Sequence, residues 1–256
     1  MTAAATVGSR FDMGRVASRT FGAIGRNFAV FGLLALLLAG IPQGIARYFA
    51  QETVHGGGLG SGLITACSSL LGFIGLNMLQ AALIHGTVAD LNGRRANFGE
   101  CLSTGLRFLL PVIGISILTG VAVAIGFILL IVPGVLLLLA WCVNIPVVVT
   151  EREDVFAAFG RSWDLTRGHR LQIFGLAVVY VLVVWIMDAA GIAVTGGLNL
   201  ANLASPVGFN GIEWAVLTLL NVAQSLVGAT GLAAIYYELR SIKEGVGPEA
   251  LASVFD

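Results

Sequence analysis

Charged residues avoid most of this chain. Six stretches, 27–46, 53–89, 108–150, 171–187, 189–212 and 214–237, contain no Asp, Glu, Lys or Arg, and most of their positions are apolar. Lipid offers no partners for exposed backbone N–H and C=O groups, so a chain crossing a bilayer core of about 30 Å does so as a helix of about 20 apolar residues. By that rule the pattern predicts spans over about 28–48, 63–88, 108–131, 133–150, 171–194 and 213–238. Pro42 is expected to kink the far end of the first. The run 108–150 is long enough for two spans, and Val132-Pro133-Gly134 is where it should divide. Proline suits the first turn of a helix, and the residue before it resists the helical conformation.

Composition supports the same solvent. Of 256 residues, 57% are apolar and 11% charged, against about 25% charged in soluble domains, and mean hydropathy is +0.92. A soluble enzyme and a disordered tail are excluded. The fold class expected is all-α: a polytopic membrane protein with a basic N-terminal segment 1–26, a six-helix membrane domain 27–238 and a short tail 239–256.

Charge sets the orientation. Of the 14 basic residues, 13 fall in the N-terminal segment, the 2–3 and 4–5 loops and the tail, while only Arg47 falls on the opposite side. Positive residues stay in the cytoplasm, so both termini are expected there, in a bacterial inner membrane. The formal net charge of zero is then a cancellation across the bilayer. The cytoplasmic side has thirteen basic against eleven acidic residues, and the outer side one against three. Arg10, Arg15, Arg19 and Arg26 make an overlong basic region for a signal peptide, with no clear cleavage site after it, so the first span is expected to remain.

Two basic segments read as helices lying in the interface. In 151–174, Val155, Phe156, Phe159 and Trp163 share one helical face, with Arg152, Arg161 and Asp164 elsewhere. In 10–26, Phe11, Val16, Phe21 and Ile24 stand against the four arginines. Guanidinium forks match phosphate geometry, which makes Arg15, Arg19, Arg26, Arg107, Arg161, Trp163, Arg167, His169 and Arg170 a candidate collar for anionic lipid headgroups or a partner protein. The same residues also suit ordinary interfacial anchors. Three entries into a hairpin look alike: Gly25-Arg26-Asn27-Phe28, Gly105-Leu106-Arg107-Phe108 and Gly168-His169-Arg170-Leu171. Either the unit of amphipathic helix plus hairpin is repeated three times, or any helix entering from the cytoplasm favours Arg at the headgroups and Phe below it.

The strings Ile131-Val132-Pro133-Gly134-Val135 and Asn144-Ile145-Pro146-Val147-Val148-Val149-Thr150-Glu151, with Ala158-x-x-Arg161-Ser162-x-x-Leu165-Thr166-Arg167-Gly168, carry a resemblance. They resemble the membrane domain of glycerophosphoryl diester phosphodiesterases and related inner-membrane proteins of the YciC type, over about 126–176 and more loosely at the N-terminal arginines and Tyr236-Tyr237-Glu238-Leu239-Arg240. The resemblance implies a six-helix membrane domain and carries no catalytic residues. In those phosphodiesterases the chemistry belongs to a separate soluble barrel, for which 18 residues after position 238 leave no room. No enzymatic activity is therefore expected.

Polar residues inside the spans are the other candidates. Asp188 lies near the outer interface, where a pair with Arg47 is one expectation and a proton or cation relay another. Asn77, Gln80 and His85 on the second span, with Asn221 and Gln224 on the sixth, either line a polar path or join helices by hydrogen bonds. Gly40-x-x-x-Gly44 and Ser116-x-x-x-Gly120 suggest close packing within the chain or between copies in a homo-oligomer. Cys67, Cys101 and Cys142 lack metal or redox spacing and read as packing residues; His55, His85 and His169 are scattered. No cofactor, metal or nucleic acid is expected. These features point to a scaffold or lipid-interacting protein of the envelope, or alternatively to a small-molecule or lipid transporter.

Overall fold

The computed structural model describes residues 11–54, 58–194 and 211–245, with side chains except those of 47, 48, 50–54 and 211–214. The described residues form helices and no strand. Six helical stretches are long and apolar enough to cross a membrane: Phe28–Ala46, Leu59–Leu91, Leu109–Leu129, Ile131–Glu151, Arg170–Val194 and Ala215–Glu244. The protein is a multi-pass membrane protein. Arg10 and His55 lie outside the described residues, as do the side chains of Arg47, Glu52 and Glu213.

Helix α1 (Met13–Arg26) precedes the first span. Its N-terminus is capped by Asp12, whose carboxylate accepts from the N–H groups of Gly14 and Arg15. The first span is α2 (Phe28–Ala35), a π-helical turn over Leu36–Gly40, and α3 (Ile41–Val54). The expected kink at Pro42 is thus a widened turn just before it. Pro42 has no N–H to give to the Leu38 carbonyl, and the Ile41 N–H instead reaches back to Leu36. The Leu38 carbonyl faces α4 (Leu59–Leu91) at Gly75. A Cβ there would lie 3.0 Å from the Leu38 carbonyl carbon and closer still to its oxygen.

Helix α5 (Phe98–Arg107) leads into α6 (Leu109–Leu129), and Leu130 is extended at φ −166° before α7 (Ile131–Ala140). The break falls one residue earlier than Ile131, and Pro133 takes the third position of the new helix, where its missing N–H has no intrahelical role. The turn is tight because Gly126 and Gly134 meet, a Cβ on Gly126 lying 2.9 Å from the Gly134 Cα. The fourth span is itself broken at Trp141–Val143 and resumes as α8 (Asn144–Glu151), with Pro146 in its first turn. Helix α9 (Val155–Thr166), α10 (Arg170–Val194) and α11 (Gly211–Glu244) complete the chain.

Three short helices, α1, α5 and α9, each precede a pair of spans, and the three look-alike tetrapeptides are the joints between them. Asn27 separates α1 from α2 and Phe108 separates α5 from α6, while α10 begins at Arg170. A threefold repeat of this helix was one of the two readings of the tetrapeptides, and α5 is the helix it calls for, its buried face the small pair Cys101 and Gly105. Gly105 lets α5 lie against α4, where a Cβ would come 2.8 Å from the Met78 carbonyl oxygen.

Helix α9 buries Ala158, Ser162, Leu165 and Thr166 and leaves Phe156 and Trp163 on its outer side, 75% and 41% exposed, while Phe159 packs edge-on to Trp141 at 4.9 Å. Of the small-residue pairs, Gly40 packs closely within the chain, a Cβ meeting Val222 at 3.0 Å, and Ser116 bonds to Asn77, while Gly120 has open space around it within the chain.

Candidate functional site

The basic end of the bundle is organised by carboxylates at the ends of the even-numbered spans. Asp90 ends the second, Glu151 the fourth, and Glu238 and Glu244 the sixth. Each receives arginines. Arg26 makes a fork onto Asp90, with Nε 3.1 Å from both oxygens and Nη2 2.5 Å from Oδ2. Arg161 of α9 does the same to Glu151, at 2.9 and 3.3 Å, and also reaches Glu244. Glu238, with its side chain 2% exposed, is held by two residues of α1: Arg15, Nε at 3.0 Å, and Arg19. Arg19 also lies over the Tyr237 ring at 5.1 Å.

Further donors complete these clamps. The neutral Tyr236 hydroxyl donates to Glu151 at 2.7 Å, and the Arg240 guanidinium holds Glu244 at 2.8 Å. At the α1/α2 joint, buried Asn27 donates to Asp90 at 2.8 Å and to the Ala23 carbonyl at 3.0 Å, and it accepts from the Ala96 N–H at 3.0 Å. Asn27 thereby ties α1, the end of α4 and the loop before α5 together. Three hydrogen bonds, one to a charged group, are each worth about 1 kcal/mol or somewhat more. Asn27→Ala is expected to lower stability by about 2 kcal/mol, read as an earlier thermal unfolding transition in detergent.

The candidate collar residues therefore divide. Arg15, Arg19, Arg26 and Arg161 are engaged by carboxylates. Arg107 and Arg167 are exposed, Arg107 above the Phe108 ring at 5.8 Å. Arg170 stacks on the exposed Trp163 at 4.0 Å, and its Nε and Nη2 have no hydrogen-bond partner among the described residues. His169 rests 6.0 Å from the Phe11 ring, and burial lowers its pKa, which favours the neutral ring. Sequence reading overlooked Asp90, Glu151, Glu238 and Tyr236 as members of this rim. Their signal was the acidic residue at or just beyond the end of an apolar run, three times over.

The intramembrane candidates also separate. Asn77 is buried and takes the Ser116 hydroxyl at 2.6 Å, so it joins α4 to α6. Asp188 accepts from Gln224 at 2.7 Å, which ties α10 to α11. Arg47 has no described side chain, so the expected pair with Asp188 cannot be placed. His85 is half-buried. Gln80, Asn221 and Gln224 do come together, on the wall of a half-open cavity of about 610 Å³ between α1, α4, α7, α10 and α11.

The Cys101 thiol on α5 is pushed up to about 11 by burial, far from a thiolate nucleophile. Among the described residues no three His, Cys, Asp or Glu side chains are placed to share a metal ion.

No family model matches the chain, and no solved structure matches it significantly. It is similar to a UPF0259 membrane protein of Pectobacterium carotovorum subsp. carotovorum, with 24% identity over 119 residues. That stretch is 46% of this chain and 48% of the relative, so the chain matches about half the length of this curated protein. The comparison supports placement among uncharacterised bacterial membrane proteins.

Proposed function

We propose that the protein is a non-enzymatic component of the bacterial inner membrane, both termini cytoplasmic, whose basic rim holds anionic phospholipid. The observation that carries this reading is the set of arginines left over once the carboxylates are paired. Arg107 and Arg167 are exposed, and Arg170 is stacked on the exposed Trp163. Exposed aromatics beside them, Phe28 at 67% and Phe156 at 75%, suit the headgroup layer. A phosphate offers the acceptors these guanidinium groups lack. The clamps serve the rim by fixing α1 and α9 at the interface. The resemblance to phosphodiesterase membrane domains fits a role in lipid contact without chemistry.

The test is native mass spectrometry of the protein released from bilayers containing phosphatidylglycerol. Arg107 and Arg167 are the residues to change, because Arg161 is part of a clamp. The wild type should retain anionic lipid, and Arg107→Ala with Arg167→Ala should lose most of it with the fold intact. Absence of retained lipid, or retention unchanged in the double variant, would count against the reading.

A further inference from the structure

The cavity has a chemistry that the rim does not share. Along α11 it runs from Ile235 to Asn221, about 21 Å at 1.5 Å per residue, which is somewhat more than half of a hydrocarbon core of about 30 Å. Near the basic end its walls are apolar, with Val16, Ile173, Leu176, Leu139 and Leu232 among them. Its other end is lined by side-chain amides. Gln80 is ten residues from Asp90, or about 15 Å into the membrane, and Asn221 is seventeen from Glu238, or about 25 Å.

Neither Gln80 nor Asn221 makes a hydrogen bond among the described residues, whereas Gln224 is occupied by Asp188. No Lys, Arg, Asp or Glu lines the cavity, and behind Gln224 the Asp188 carboxylate accepts from its amide. An anionic headgroup carried to that depth would have no counter-charge and a carboxylate beside it. The cavity is open at the side: Val179 and Val183 in its wall are 58% and 45% exposed. At its middle Gly231 has nothing within 4 Å of where a Cβ would stand.

We infer that this cavity is a binding site for an uncharged lipid carrying a hydroxyl or carbonyl oxygen. Asn221 and Gln80, set apart in depth, each meet a different oxygen of its head, and the apolar chain runs toward the roof formed by α1. The match is one of length, wall character and charge: a single chain of leaflet length, an uncharged head, and two unpaired amides to receive it. This site is separate from the anionic-lipid rim and does not depend on it.

The test uses the full chain in phosphatidylcholine nanodiscs, with a diazirine-bearing monoacylglycerol as probe and the same diazirine chain on phosphatidylglycerol as control. The neutral probe should label peptides spanning 173–183 and 221–232, and unlabelled monoacylglycerol should compete. Gly231→Leu should reduce this labelling to the level of lipid-facing peptides. Gln80→Leu with Asn221→Leu should reduce it about ninefold, since hydrogen bonds at membrane depth are each worth about a threefold change in occupancy. Equal labelling by the phosphatidylglycerol probe, or labelling unchanged in both variants, overturns the assignment. So does a Gly231→Leu protein that fails to fold, because the added side chain enters space that the assignment holds to be open. Anionic lipid retained by the same samples reports separately on the rim, so either reading can fail without the other.

Discussion

Glu238→Ala is expected to release helix α1 from the bundle and to cost about 3 kcal/mol or more, the scale seen when one member of a buried ion pair is removed. Its carboxylate is buried and receives both Arg15 and Arg19. Without it, Arg19 loses its carboxylate partner and Arg15 one of its own, at the face of α1 that buries Val16. Arg15 and Arg19 should then become accessible to trypsin in the folded, detergent-solubilised protein, and the thermal transition should move down. Glu238→Gln keeps the volume and removes the charge, so it should give most of the same effect. An α1 that stays protease-resistant in both variants would mean that its apolar contacts alone hold it in place.

A second large effect is expected at Gly75. The Leu38 carbonyl, released by Pro42 from the α-helical register, occupies the space a side chain at Gly75 would need. Gly75→Ala puts a Cβ against backbone, which cannot rotate away as a side chain can, so the cost should exceed the 1–3 kcal/mol or so typical of overpacked cores. Gly75→Val should prevent the first two spans from pairing, seen as aggregation on gel filtration. Gly120→Ala is the internal control. Its Cβ would meet nothing within 4 Å, and stability should stay within about 0.5 kcal/mol.

Hydropathy made the spans legible because the bilayer imposes one requirement on every crossing segment, and that requirement is written in consecutive residues. The division at Val132-Pro133-Gly134 was legible for the same local reason, to within a residue or two. Helix α5 was legible only as one of two readings of the repeated tetrapeptides, since its contact with α4 depends on a glycine and a cysteine rather than on a stripe of large apolar residues. Nor did the spacing of arginines reveal their partners. Arg26 meets Asp90 across 64 positions and Arg19 meets Glu238 across 219, so the pairing follows from how the spans assemble. Counting basic residues identified the rim, but only the three-dimensional arrangement divided it into arginines that brace the fold and arginines that face outward. Likewise, Gln80 and Asn221 were separate polar residues on two spans until packing set them on one cavity.

Everything said of the rim depends on its lying at the cytoplasmic surface, and reporter fusions test that placement most directly. A periplasm-active reporter joined after Asp256 should be silent, and the same reporter inserted in the 51–62 loop should be active. An active C-terminal fusion with a silent loop insertion would place the twelve arginines and one lysine of the rim on the outer face of the membrane and contradict the account.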